Sequence, residues 1–244
     1  MFDWRARFSD PTVPDLFKGL DAHLWSITRF PETSRIEYIL DACRDRLVLD
    51  IGAGEHDPSF YSANNWEHGR IVSVARRAVA VELDPKLCEH YNAAGFDFRC
   101  VDATSDVDLG ERFERIFVGD VIEHVNDPVR LLQFVDRHLS ADGVAIFTTP
   151  NPFAPRFRQT RSRFGVNYVA ANAEHTFWLS ASCMHELAWR SNIELTGLIW
   201  PLYRKPKTGL ARALARIGRR LQVHLRGPEA VYPEYMFELR RRQA

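Results

Sequence analysis

The sequence is short of cysteine, of net charge and of long apolar runs. Its 244 residues include four cysteines, Cys43, Cys88, Cys100 and Cys183. No two stand at a C-x-x-C spacing, so no disulfide framework is suggested and a reducing, cytoplasmic setting is expected. No stretch approaches the roughly 20 apolar residues of a membrane span. The opening MFDWRARFSD carries charges among its first apolar residues, unlike a secretory leader. Glycine and proline number 13 each, which excludes collagen-like and low-complexity chains. Lys+Arg and Asp+Glu are 32 each, a formal net charge of zero. That balance argues against a chain sheathed in nucleic acid, but the charge is unevenly spread. Residues 203–244 hold 11 Lys/Arg and three acids, so +8 is concentrated there and −8 on the remainder.

What is present is an ordinary apolar share, 45% of residues, in a length that suits one large domain. Residues 14–43 read as one or two helices, with Leu16, Phe17, Leu20 and Leu24 at helical spacing. The period then changes. Short apolar runs at 46–51, 78–82, 96–101, 115–119, 144–148, 193–199 and 235–239 read as seven strands, with helical patterns between most of them. Asp142-Gly143 reads as a turn before the fifth strand, and Pro150 as its end. Alternating strands and helices predict an α/β, doubly wound, mostly parallel seven-stranded sheet covered on both faces. We divide it into an N-terminal helical cap (1–45), a core (46–200), a basic insertion (201–232) and a last strand with its tail (233–244). Ligands of such sheets sit at the carboxyl ends of the strands, near the point where strand order reverses.

Those ends carry acids. Asp50-Ile51-Gly52-Ala53-Gly54 follows the first strand, Val81-Glu82-Leu83-Asp84 ends the second, and Val101-Asp102-Ala103 ends the third. The glycines permit a sharp turn and close approach of a ligand to the amides. A dinucleotide fingerprint asks for a third glycine where Asp57 stands, and Asp50 would repel a pyrophosphate. A cationic or neutral ligand therefore fits better than a nicotinamide dinucleotide. Glu82 can accept from a ribose diol, although an acid there also suits a helix N-terminus. Three acids at three successive strand ends are harder to explain as chance than any one of them.

The order VLDIGAGEHDPSFY, AVAVELDP, CVDAT and RIFVGDVIEHVNDPVRLLQFVDRHLSADGVAIFTTPNP resembles a class I S-adenosylmethionine-dependent methyltransferase, closely over residues 46–151. It is similar to the group that includes quinone-biosynthesis O-methyltransferases. The resemblance implies a Rossmann-like fold and S-adenosylmethionine as cofactor, with S-adenosylhomocysteine as product. It places Asp50, Gly52, Ala53 and Gly54 on the methionine and sugar, Glu82 with Leu83 on the ribose, Asp102 and Ala103 beside the adenine, and Asp120 and Val121 on the methionine side. Ala141-Asp142-Gly143 stands where Pro-Gly-Gly is usual, and NNWEHGRIVSVARR lengthens the link from Gly54 to Glu82. The W-x-H-G-R part of that link resembles a stretch in a subgroup associated with glycan and secondary-metabolite pathways.

Catalytic roles are expected of His124 and Glu123. The following helix is expected to begin here, so that position 124 shares a face with Asp120 and His124 can act as a general base. The cofactor site is expected to work without a metal. Some related enzymes hold a divalent ion on an acid-x-x-Glu-His block, and the matching residues would be Asp120, Glu123 and His124, with His175 as a distal partner. Two basic segments remain. Arg156, Arg158, Arg161 and Arg163 stand among phenylalanines after the fifth strand, a pattern suited to an anionic acceptor or to a solvated loop. Tyr203–Arg226 holds eight Lys/Arg and no acid, with Leu210, Leu214, Ile217 and Leu221 at helical spacing. It could cap the domain, bind a polyanion or lie peripherally on anionic lipid. The expected function is O-methylation of a sugar or glycan hydroxyl, the acceptor small and possessing or lacking a lipid anchor, rather than a nucleic acid. A phenol or natural product, an RNA, and a binding module without catalysis stay open as alternatives.

Overall fold

In the computed structural model, which describes residues 2–54, 66–155, 172–202 and 209–242, eight strands share one sheet. They are β1 (Thr28–Arg29), β2 (Leu47–Ile51), β3 (Arg77–Glu82), β4 (Phe98–Cys100), β5 (Phe113–Gly119), β6 (Leu139–Pro150), β7 (Ile193–Ile199) and β8 (Glu234–Arg241). The order across the sheet is β1-β7-β8-β6-β5-β2-β3-β4. All pairings are parallel except those of β8, which runs antiparallel to both β6 and β7. The sheet thus has one strand more than the seven expected. The addition is β1, whose Thr28 and Arg29 pair with Leu198 and Ile199 at the edge. Two residues are too few to show a period in sequence. The turn expected at Asp142-Gly143 is instead a bulge within β6. The register jumps there from Phe113↔Leu139 to Arg115↔Val144.

The helices described are α1 (Pro14–Ser26), α2 (Arg35–Cys43), α3 (Glu67–Val74), α4 (Pro85–Ala93), α5 (Pro128–His138), α6 (Ala181–Arg190) and α7 (Gly209–Arg226). Their starts are fixed by side chains. Ser34 and Glu37 form a reciprocal capping box on α2. Asp84 caps α4 and Asp127 caps α5, each followed by proline at the first helical position. Asp127-Pro128 also corrects one expectation. Glu123 and His124 lie in a turn before α5 rather than on its first turn, because Pro128 disfavours helix at the residue before it and starts a new one.

The central strands are apolar on both sides, as two covered faces require. Leu49, Ile51, Ile116 and Val118 pack with Leu132 and Val135 of α5 and Met184 of α6 on one face. Val48, Phe117 and Ile146 pack with Ile39 and Cys43 of α2 and Ile71 of α3 on the other. The chain runs β2→β3→β4 towards one edge and then returns to β5 on the opposite side of β2, so strand order reverses between β2 and β5.

A buried asparagine ties β6 to the segment that leads into β8. Asn151 is fully buried, and its Nδ2 donates to the carbonyls of Glu229 at 2.8 Å and Tyr232 at 2.7 Å. Its Oδ1 accepts from the Phe153 amide at 2.9 Å. Asn151→Ala leaves these groups unmatched and is expected to cost about 2 kcal/mol or more. The measurement is a urea melt, in which the midpoint should fall at unchanged slope. An unshifted midpoint would show that this junction is held by other means.

Candidate functional site

A cavity of 1170 Å³ opens where strand order reverses, at the carboxyl ends of β2, β3 and β5. It brings together the twelve residues expected at the cofactor and the reacting centre: Asp50, Gly52, Ala53 and Gly54; Glu82 and Leu83; Asp102 and Ala103; Asp120 and Val121; Glu123 and His124.

The glycine turn is shaped by what lies beside it. Gly52 adopts φ +74°, and a Cβ there would stand 2.3 Å from Val121 Cγ2. A Cβ on Gly54 would stand 2.8 Å from Glu82 Oε2. The absence of side chains lets the Gly54 amide donate to Glu82 Oε2 at 3.1 Å, while Oε1 accepts from the amides of Leu83 at 2.8 Å and Asp84 at 3.2 Å. Three backbone donors thus fix this carboxylate at the cavity wall. Trp66 holds the turn from behind. Its indole Nε1 donates to the Ala53 carbonyl at 2.8 Å, and its ring stacks on Tyr91 at 4.6 Å.

Asp50 is buried, and its Oδ2 lies 2.8 Å from His68 Nδ1. It therefore meets the cavity together with an imidazole from α3 whose Nε2 is buried and has no hydrogen-bond partner among the described residues. Asp102 Oδ1 accepts from the amide and the hydroxyl of Thr104, both at 2.7 Å, which shapes the turn after β4. Asp120 has φ +52°, a left-handed conformation uncommon outside glycine and tolerated best by Asn and Asp. Its amide donates to the Thr148 carbonyl at 3.1 Å, and its Oδ2 accepts from Arg35 at 3.3 Å.

Arg35, which sequence reasoning did not single out, is a cation set among these acids. Its guanidinium also reaches Glu67 Oε1 at 2.9 Å, the Thr148 hydroxyl at 2.9 Å and Glu234 Oε2 at 3.6 Å. Burial nevertheless dominates at Glu67, whose carboxyl is pushed up to about 7 although Arg35 pulls it down.

On the far side of Asp120, Glu123 is fully buried; the Thr149 side chain and its own amide approach the carboxylate, yet among the described residues neither oxygen has a donor in full hydrogen-bonding geometry. Burial, reinforced by the charge of Asp120, raises its carboxyl to about 7. His175 Nε2 lies 3.9 Å from Glu123 Oε1, and the His124 and His175 rings meet edge to face at 4.6 Å. Burial, followed by the His124 charge, lowers His175, which favours its neutral form. The segment bearing His175 is pinned to the turn below it, because the Thr176 amide donates to the Glu123 carbonyl at 2.9 Å. Glu123, His124 and His175 each offer a ligand atom within 4.8 Å of the others. Asp120 is outside this set, contrary to the four-residue grouping considered from sequence, because its carboxylate is turned to Arg35. Arg156, Arg158, Arg161, Arg163 and Asp57 lie outside the described residues.

The described cavity wall is acidic, with Asp50, Glu67, Glu82, Asp102, Asp120 and Glu123 against Arg35 and Arg70. Sequence reasoning missed Arg35, Glu67 and His68 as members of the site. The last two lie within the segment noted as an unusual link from Gly54 to Glu82.

Residues 28–198 match the methyltransferase-domain family. No curated protein matches the chain. Among solved structures, it is similar to an S-adenosylmethionine-dependent methyltransferase from Clostridium acetobutylicum, with 10% identity, TM-score 0.55, and 85% of this chain and 91% of that one covered. A TehB-like methyltransferase from Corynebacterium glutamicum is similar over 96% of this chain and 100% of that one, at 14% identity and TM-score 0.51. The [4+2]-cyclase SpnF is similar over 86% and 80%, at 14% identity and TM-score 0.50. At these identities the likeness concerns the fold.

The elevated Glu123 carboxyl has a sign that can be measured. A folded value near 7, above the usual 4.5, means the folded state holds this proton more tightly than the unfolded chain does. The contribution favours folding at acid pH and is lost as pH rises through about 7. In metal-free buffer, Glu123→Gln should flatten the loss of stability between pH 5 and pH 8 by up to about 3 kcal/mol. Urea melts of both proteins at the two pH values check this, and equal slopes would contradict it.

Proposed function

We propose, from the premise that the chain belongs to the class I S-adenosylmethionine-dependent methyltransferase family, that it methylates a hydroxyl oxygen of a sugar or glycan. The observation that carries this reading is the polar acceptor side, where Glu123, His124 and His175 stand beside the acid-lined cofactor cavity. Asn126, Asp127, Asn172 and Glu174 line the same end, which suits a polyhydroxylated acceptor better than an apolar ring.

The residues present fit the cofactor. A wall of carboxylates favours a cation, and Glu82, held by three amides, offers its remaining lone pairs to a ribose diol. S-adenosylmethionine bound there supplies an electrophilic methyl group on a sulfonium. Asp50 orients His68, whose Nε2, without a partner among the described residues, is available to the amino-acid part. Asp120, held by Arg35, keeps the turn after β5 in place and Val121 against Gly52. On the acceptor side, His124 takes the hydroxyl proton as oxygen attacks carbon. Much of the rate then comes from positioning, since methyl transfer needs little beyond alignment.

A second reading is favoured by the convergence of Glu123, His124 and His175. Mixed carboxylate and imidazole donors suit Mg²⁺, Mn²⁺ or Zn²⁺, and each of the three side chains brings one ligand atom within 4.8 Å of the others. A cation there would hold the acceptor oxygen and lower its pKa.

Four measurements test these readings. Glu82→Ala is expected to weaken S-adenosylhomocysteine binding, followed by calorimetry, by about tenfold or more. Unchanged affinity would remove Glu82 from the ribose site. Incubation with S-adenosylmethionine and panels of sugar nucleotides, free glycans and phenols should yield a methylated sugar. Methylation of phenols alone would redirect the acceptor assignment, and cofactor binding without turnover on any panel would favour a non-transfer role on this fold, as SpnF's name indicates for that protein. His124→Ala should lower kcat by about 10²-fold or more and abolish the acidic limb of the pH profile. Activity lost on chelation and restored by one divalent ion would select the metal reading, and full activity after chelation would select the general base.

A further inference from the structure

The helix α7 turns its apolar face away from the protein. Leu210, Leu214, Ile217, Leu221 and Leu225 recur at intervals of three and four residues, so they share one stripe, and each is between 56% and 74% exposed. The half-buried positions are Ala213, Arg219 and Val223. Val223 packs against the main core, and Arg219 hydrogen-bonds the Tyr232 phenol. At about 100° per residue, Arg219 and Val223 lie roughly opposite the leucine stripe. The helix therefore rests on the body by its basic side and shows its leucines to the outside, the reverse of a helix that caps a domain.

We propose that α7 is an interfacial helix that docks the protein on an anionic phospholipid bilayer. Five contiguous large aliphatic side chains make a stripe along a helix about 27 Å long. Such a stripe is costly to leave in water and suits the boundary between headgroups and acyl chains. The charge is complementary to that partner. Residues 209–226 contain no acid; Arg220 stands at the side of the stripe, and Arg216 and Arg226, also exposed, stand further round the helix, from where long side chains extend towards headgroup level while the leucines insert. Near the base of the helix, Trp25 and Phe30, 59% and 40% exposed, continue from Tyr232 through ring contacts at 6.2 and 6.1 Å. Aromatic side chains of this kind favour the membrane–water interface. Among the described residues no helix is long and apolar enough to cross a membrane, so the contact is peripheral. The inference stands apart from the acceptor assignment and needs only the folded chain.

The test is vesicle sedimentation of the full chain. It should pellet with vesicles of equal parts phosphatidylcholine and phosphatidylglycerol, not with phosphatidylcholine alone, and less so in high salt. The doubly substituted Leu214→Glu, Ile217→Glu and Arg216→Glu, Arg220→Glu proteins should each stay in the supernatant. Both should keep wild-type S-adenosylhomocysteine affinity and thermal stability, since these side chains lie outside the core and the cavity. The wild type remaining in the supernatant with anionic vesicles at low salt would overturn the proposal. So would retained vesicle binding by the leucine variant, which would leave only a polyanion-binding surface. Light scattering that showed a dimer dissociated by Leu214→Glu, Ile217→Glu would assign the stripe to a second copy and overturn it equally.

Discussion

The carboxyl edge of the sheet depends on one guanidinium. Arg35, the first residue of α2, meets Glu67 from α3, Asp120 from the end of β5, Thr148 from β6 and Glu234 from β8. Few other arrangements would let that many carboxylates crowd a partly buried rim, because each unpaired acid there would resist ionisation. The guanidinium is placed by the capping box of Ser34 and Glu37, which fixes where α2 begins and hence where Arg35 points. Through this contact a helix start on one face of the sheet sets the conformation of Asp120, which sits at a left-handed φ and borders the reacting end of the cavity. The pairing is incomplete, since Glu67 still titrates near 7, so the cavity keeps its acidic character without being overwhelmed by repulsion.

The other half of the cavity rests on backbone rather than on side-chain charge. Glu82 is gripped by three amides, two from its own turn and one from Gly54, and that last donor exists because no Cβ intervenes. Gly52 in turn must lack a side chain to let Val121 close over it. The two glycines therefore do different work. One admits a neighbouring strand end, and the other brings an amide to a carboxylate. Trp66 makes the arrangement rigid by bonding the Ala53 carbonyl between them.

This division explains what could be read from the sequence. Asp50, Glu82 and Asp102 were legible because each stands at the end of an apolar run, and strand ends of a doubly wound sheet converge by topology alone, whereas Asp120 came with the family resemblance. Arg35, Glu67 and His68 were not, because they arrive from helices whose only link to the site is tertiary packing. His175 could be matched to Glu123 and His124 only through family resemblance. Its approach depends on the Thr176 contacts with the Glu123 carbonyl, which leave no sequence signature. The strand pattern was legible where runs were long. It failed at Thr28–Arg29, and at residues 140–143, where a bulge takes the residues that read as a turn. In α7 the periodicity was plain, but a period states that a helix has two faces and not which one the body covers.

The antiparallel strand β8 settles where that helix stands. Because β8 runs against β6, its first residue, Glu234, pairs with Pro150 at the carboxyl end of β6, beside the cavity. The chain must therefore reach the cavity end of the sheet before β8 begins, and α7 is the segment that brings it there. Asn151 fastens the short link between them by bonding the Glu229 and Tyr232 carbonyls. A parallel last strand would have started at the opposite end and carried the basic helix away from the site. Topology thus brings the basic helix to the end of the sheet where the cavity opens, while Arg240 and Arg241, the last residues of β8, stand at the opposite end. The acidic cavity wall is suited to a cation, and the basic helix, none of whose described residues lines the cavity, keeps its charge out of that wall.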